Sequence, residues 1–121
     1  MKDARRNQRI GPLLIRAEYR DGANRREGYV TNLSLGGAFL ATEEPPAPGR
    51  RITLGITLPW GLGNITVDAE VIWTALDSRG EGDTPAGVGL AFAAPSASTA
   101  ESLRLYMQRF YSLAASIEER A

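Results

Sequence analysis

Apolar and polar residues alternate one for one through most of this chain. Between positions 12 and 20, Leu13, Ile15, Ala17 and Tyr19 fall on one face, with Arg16, Glu18 and Arg20 on the other. Positions 51–59 set Ile52, Leu54, Ile56 and Leu58 against Thr53, Gly55 and Thr57. Positions 64–74 set Ile65, Val67, Ala69, Val71 and Trp73 against Thr66, Asp68 and Glu70. Val88, Leu90 and Phe92 oppose Gly87, Gly89 and Ala91, and shorter runs at 28–33 and 38–41 complete the set. A period of two with one apolar face is what a half-buried antiparallel strand requires. Segments rich in Gly, Pro and Asp separate the runs, at 21–22, 45–49, 59–64 and 78–85. Short strands at hairpin spacing, with no helix between them, predict an all-β domain, a sandwich or a small barrel. A six-stranded antiparallel barrel has the advantage of exposing no open edge.

The period changes near the end. Ser98-Thr99-Ala100-Glu101 fits a capping box, and Leu103, Tyr106, Met107, Phe110, Leu113 and Ile117 recur at steps of three and four. An amphipathic C-terminal helix of about five turns follows. Its apolar face is expected to cap the barrel's open end, the alternative being a partner or dimer surface. At 121 residues, 43% of them hydrophobic, the chain suits a single globular domain.

Composition removes several chemistries. With no Cys and no His, the chain has no disulfide, no thiolate nucleophile, no imidazole base and no ordinary zinc site. The longest uncharged stretch, 84–100, contains Pro95 and several serines, so no membrane insertion is expected. The charged start, MKDARRNQRI, does not resemble a signal peptide. A cytoplasmic location is therefore expected. Formal charge is zero overall but uneven: the first 26 residues carry eight basic side chains against three acidic ones. Such a head reads either as a solvated tail or as an anion-facing element, and Arg supplies a planar donor fork suited to phosphate and guanine edges.

Asn32-Leu33-Ser34-Leu35-Gly36-Gly37 falls at the turn between the second and third predicted strands. Here an amide that donates and accepts lies two residues from a rotatable hydroxyl, followed by glycines that permit positive φ and close approach of a ligand. A polar turn with a bulge is the alternative. Other features read as structural: Asp68 and Glu70 as solvated strand-face residues, Trp73 as core, and Trp60 as an exposed loop contact. Gly87 and Gly89 have no helix behind them and form no dinucleotide fingerprint.

Asn32-x-Ser34-x-x-Gly37 resembles the (D/N)xSxxG signature of PilZ domains, bacterial receptors for cyclic di-GMP. Arg5-Arg6-Asn7-Gln8-Arg9 is similar to that family's upstream RxxxR motif. NLSLGGAFL, AEVIW and GVGLAF look like PilZ strand segments in the expected order, so the resemblance covers essentially the whole chain. It implies a flexible arginine arm at 1–11, a PilZ-type barrel at 12–95 and a C-terminal helix at 96–119. It further implies that Arg5 and Arg9 contact phosphates or guanine, with Arg6 auxiliary. Asn32 and Ser34 would take guanine edges or the intervening phosphate, and Gly37, with Gly36, would give clearance and backbone donors. Asn32 is neutral where many members carry Asp.

The implied protein is not an enzyme and carries no cofactor or metal. It is a cyclic di-GMP adaptor, a monomer or weak dimer, that relays the messenger to an unidentified protein partner in motility, exopolysaccharide or surface-attachment control. One alternative is a PilZ-fold interaction platform that binds no nucleotide. The other, a barrel binding single-stranded nucleic acid, would need exposed aromatic rings, most of which the alternation turns inward; nucleic acid polymers are not expected as partners.

Overall fold

The computed structural model describes residues 13–76 and 86–120, the side chains of 114–120 excepted. Six strands, β1 (Ile15–Asp21), β2 (Asn24–Leu33), β3 (Gly37–Ala41), β4 (Arg51–Leu58), β5 (Gly63–Ala75) and β6 (Gly87–Phe92), precede one helix, α1 (Ala97–Arg120). All strand pairs are antiparallel and close into a barrel in the order β1-β2-β3-β6-β5-β4, with β4 returning to β1. Closure pairs both edges of every strand, which disposes of the open-edge problem that the alternation raises.

The alternating apolar residues fill the barrel. Tyr19, Val30, Leu33, Leu40, Leu54, Ile56, Val71 and Val88 are fully buried in one cluster that also includes Leu103, Tyr106 and Met107 of α1. The Tyr19 hydroxyl is satisfied inside by Thr42 Oγ1 at 2.8 Å, so this polar tip costs little to bury. β2 begins four residues earlier than its hydrophobic pattern, because Asn24–Glu27 pair across the β1–β2 hairpin beyond the core. The connection from β3 to β4 is tied to β5: Gly49 N–H donates to Val71 O, Val71 N–H to Arg50 O, and Thr74 Oγ1 to Pro46 O, at 2.7–2.9 Å.

Three expectations need correction. Trp73 is not core: the register shifts between Val71 and Trp73, so β5 bulges at Ile72 and the indole turns to the outer face, 45% exposed. The helix cap is Ser96 rather than Ser98. Ser96 Oγ accepts the Thr99 N–H at 3.1 Å and Ser96 O accepts the Ala100 N–H, while Glu101 pairs with Arg104 on the outer surface. The apolar helix face is also only partly covered. Leu103, Tyr106 and Met107 are buried and Phe110 packs against them, but Leu113 is 45% exposed, and the Ile117 side chain lies outside the described residues.

Trp60 joins hairpin to helix. It and Gly61 occupy the centre of the β4–β5 turn with φ of 62° and 71°. The indole stacks on Tyr106 at 5.2 Å with Arg109 of α1 over its face at 5.9 Å. A left-handed aromatic residue is strained, and the stack with its cation holds it there.

Candidate functional site

The signature turn is built by Ser34. The residue is 3% exposed. Its Oγ accepts the Gly37 N–H at 3.0 Å and the Gly36 N–H at 3.3 Å and donates to Gly37 O at 3.2 Å, while Ser34 N–H donates to the same carbonyl at 2.8 Å. One hydroxyl therefore satisfies two backbone donors in a turn too tight to pair them otherwise. Gly37 is required by neighbouring backbone: a Cβ there would meet Leu90 O of β6 at 2.1 Å. Neither Gly36 nor Gly37 has positive φ, so the conformational freedom expected of them is not what the turn uses.

Next to this turn lies a trough on the outer wall. Asn32, half-buried, pairs with Phe39, Phe39 with Gly89, and Gly89 with Trp73, so these four positions share one rung across β2, β3, β6 and β5. Phe39 and Trp73 stack at 5.3 Å and 24°. Small residues make this possible. A Cβ on Gly89 would meet Trp73 Nε1 at 2.1 Å, and one on Gly87 would meet the Phe39 ring at 2.6 Å. Gly87 and Gly89 are the bed on which the two rings lie. Trp73 covers Phe39, leaving one indole face at the surface. The neighbouring rung runs from Gly37 through Ala91 to Glu70. The result is a shallow surface floored by glycine, alanine and an indole, with an amide at one side and a carboxylate at the other. A planar base can lie flat there and present its edges to polar groups.

A second concavity, of about 660 Å³, lies on the β1–β2 hairpin and is lined by charged residues. Its arginines are already matched: Arg16 with Glu27 at 3.1 Å, Arg25 with Glu18 at 3.4 Å, and Arg26 with Glu44 at 2.6 Å. The hydrogen bond to Glu27, then its charge, hold the Arg16 pKa above its ordinary value. Paired walls offer an anion little net field. Three of the eight basic side chains in the first 26 residues are thus paired, two within the hairpin and Arg26 with Glu44 of the β3–β4 connection. Arg5, Arg6 and Arg9 lie outside the described residues. Among the described residues there is no group of three or more metal-ligating side chains, and no helix is long and apolar enough to cross a membrane.

Sequence reasoning missed the outer role of Trp73 and Phe39. A signal was present, because Val71-Ile72-Trp73 places three large apolar residues in succession and breaks the alternation where the bulge occurs.

A comparison with curated protein sequences gave no match. Among solved structures, the chain is similar to the PilZ domain with c-di-GMP of YcgR from Escherichia coli, at 18% identity and a TM-score of 0.71, covering 98% of this chain and 100% of that one. It is also similar to YcgR of Escherichia coli in complex with c-di-GMP, at 21% identity and a TM-score of 0.69, covering 97% and 49% of the two chains. The Bacillus subtilis inhibitor of motility MotI/DgrA matches at 17% identity and a TM-score of 0.72, covering 92% and 53%. The chain spans about half the length of these last two proteins, and at such identities the likeness is one of fold. Residues 3–109 match the family model of the PilZ domain, and with its closed six-stranded barrel and C-terminal helix the chain belongs to the PilZ domain family.

Proposed function

We propose that this chain is a cyclic di-GMP receptor that binds its ligand on the outer wall, over the Asn32–Phe39–Gly89–Trp73 rung. The observation that carries the reading is the convergence of the Asn32-x-Ser34-x-x-Gly37 turn and an exposed, backed indole on one trough. Arg5 and Arg9, with Arg6 auxiliary, approach from the N-terminal arm and meet phosphates and guanine O6/N7, which a guanidinium fork fits. Asn32 takes a guanine edge. Ser34, engaged within the turn, acts mainly by holding the backbone of Gly36 and Gly37 in place. The structures of YcgR with c-di-GMP, similar in fold, support this choice of ligand.

Ordering an arm costs roughly 1–2 kcal/mol per residue, against about 1.5–3 kcal/mol for each charge-assisted hydrogen bond. Several contacts must therefore form together, and binding works as a switch in which the arm docks while the barrel stays fixed. The altered surface then recruits a protein partner, in motility, exopolysaccharide or surface-attachment control. Calorimetric titration with cyclic di-GMP, with GTP and an oligonucleotide as controls, tests the reading. Selective binding, weakened by about 1–3 kcal/mol in Arg5→Ala or Arg9→Ala, is expected; unchanged affinity in both variants overturns it.

One observation favours a second reading. Ser34 and Gly37 both have structural duties, so the signature persists in a fold that binds no nucleotide and acts as an interaction platform. Absence of any cyclic di-GMP binding selects it.

A further inference from the structure

The trough holds a carboxylate that none of these contacts uses. Glu70 pairs with Ala91 and Ala91 with Gly37, so Glu70 shares a rung with the glycine of the signature turn. Two strand spacings, roughly 10 Å, separate them, and the residue between them carries only a methyl group. Trp73 is the next outward residue along β5 beyond the Ile72 bulge. Glu70 is half-buried, and among the described residues it makes no hydrogen bond or ion pair. Asp68, two residues earlier on the same face, instead accepts the Thr53 hydroxyl at 2.9 Å. Arg51 lies opposite Glu70 on the β4 side, away from the trough, and forms no ion pair with it.

A carboxylate beside a dianion repels it unless the carboxylate receives N–H donors. Guanine carries two in a row on its Watson–Crick edge, N1–H and N2–H₂, which match the two oxygens of a carboxylate. Asn32 is neutral and meets that edge weakly. We propose that Glu70 is the base-selecting residue of the site, accepting N1–H and N2–H₂ from the guanine that lies on the Trp73 indole. Adenine presents an acceptor at N1, so the same carboxylate rejects it. The proposal rests on the reading of the chain as a cyclic di-GMP receptor.

Calorimetric titrations of the wild-type chain and of Glu70→Gln with cyclic di-GMP and with cyclic di-inosine monophosphate, which lacks the exocyclic amine, test it. Wild type is expected to prefer the guanine ligand by about tenfold and Glu70→Gln to lose most of that preference, since hydrogen bonds to a charged acceptor are about twice as strong as neutral ones. Glu70 is half-buried and has no hydrogen-bond or ion-pair partner among the described residues, so the variant is expected to fold, and an unchanged melting temperature checks this. If wild type binds cyclic di-GMP and Glu70→Gln keeps the full preference, the role of Glu70 is overturned while the receptor reading stands. If wild type binds neither ligand, the receptor reading falls and the inference with it.

Discussion

Single atoms decide the shape of the site. At Gly37 there is no room for a methyl group, because Leu90 O occupies the place a Cβ would take and backbone cannot easily yield. Gly37→Ala is expected to destabilise the domain by about 1–3 kcal/mol, read as a lowered urea midpoint. An unchanged midpoint would show that β3 and β6 are not so close. At Gly89 the obstacle is a side chain, which can move. Gly89→Ala is expected to lift the indole off Phe39 and alter the tryptophan emission at smaller cost in stability. An emission spectrum like the parent's would contradict the placement of Trp73. These two glycines were visible in the sequence, but their reasons were not. Positive φ and ligand clearance are local explanations, whereas the structure uses both residues to admit neighbours from other strands.

Among the elements, the helix depends on a contact made by a turn. Trp60 is held at a φ of 62° by Tyr106 and Arg109. Trp60→Ala is expected to loosen α1 and to destabilise by about 2 kcal/mol. Trp60→Gly, which removes the same ring and also the left-handed strain, should recover about 1 kcal/mol of that. Equal losses in thermal melts of the two variants would mean the turn is unstrained. Tyr106 adds a pH dependence. Burial pushes its pKa above the ordinary value of 10.0. The unfolded chain therefore ionises first, and the contribution of the neutral phenol, complete below that value, is lost as pH rises through it towards the folded pKa. Helix content followed into the alkaline range should fall earlier in wild type than in Tyr106→Phe; coincident curves would remove Tyr106 from the account.

The helix was legible from Leu103, Tyr106, Met107 and Phe110 at steps of three and four, since that spacing is set by backbone geometry alone. Its start was not, because Ser96 and Ser98 are both good caps and only the position of the Thr99 N–H chooses between them. Leu113 shows the converse. Its spacing fits the apolar stripe, but it stays 45% exposed, and no periodicity records how far a neighbour covers the stripe.

For the whole molecule, the alternation was enough to imply a sandwich or a small barrel, because one-faced strands have few other ways to hide their apolar sides, while closure depends on the pairing of β4 with β1. The polar tip of β2 was not legible, since Asn24–Glu27 is held by hairpin pairing rather than by burial. The candidate site was legible in part. The signature turn could be read directly, while the trough beside it depends on the β5 bulge and on a register that brings residues from four strands to one rung. A ligand bound there touches β2, β3, β6 and β5 together, with the ion-paired hairpin left aside. The most direct test is a titration of isotope-labelled protein with cyclic di-GMP, following backbone amides and tryptophan indoles by NMR. Binding over the trough predicts shifts at residues 32–37, at Gly89 and at the Trp73 indole, with residues 24–27 unmoved. Shifts confined to the β1–β2 hairpin, or a Trp73 indole that does not respond at saturation, would contradict it.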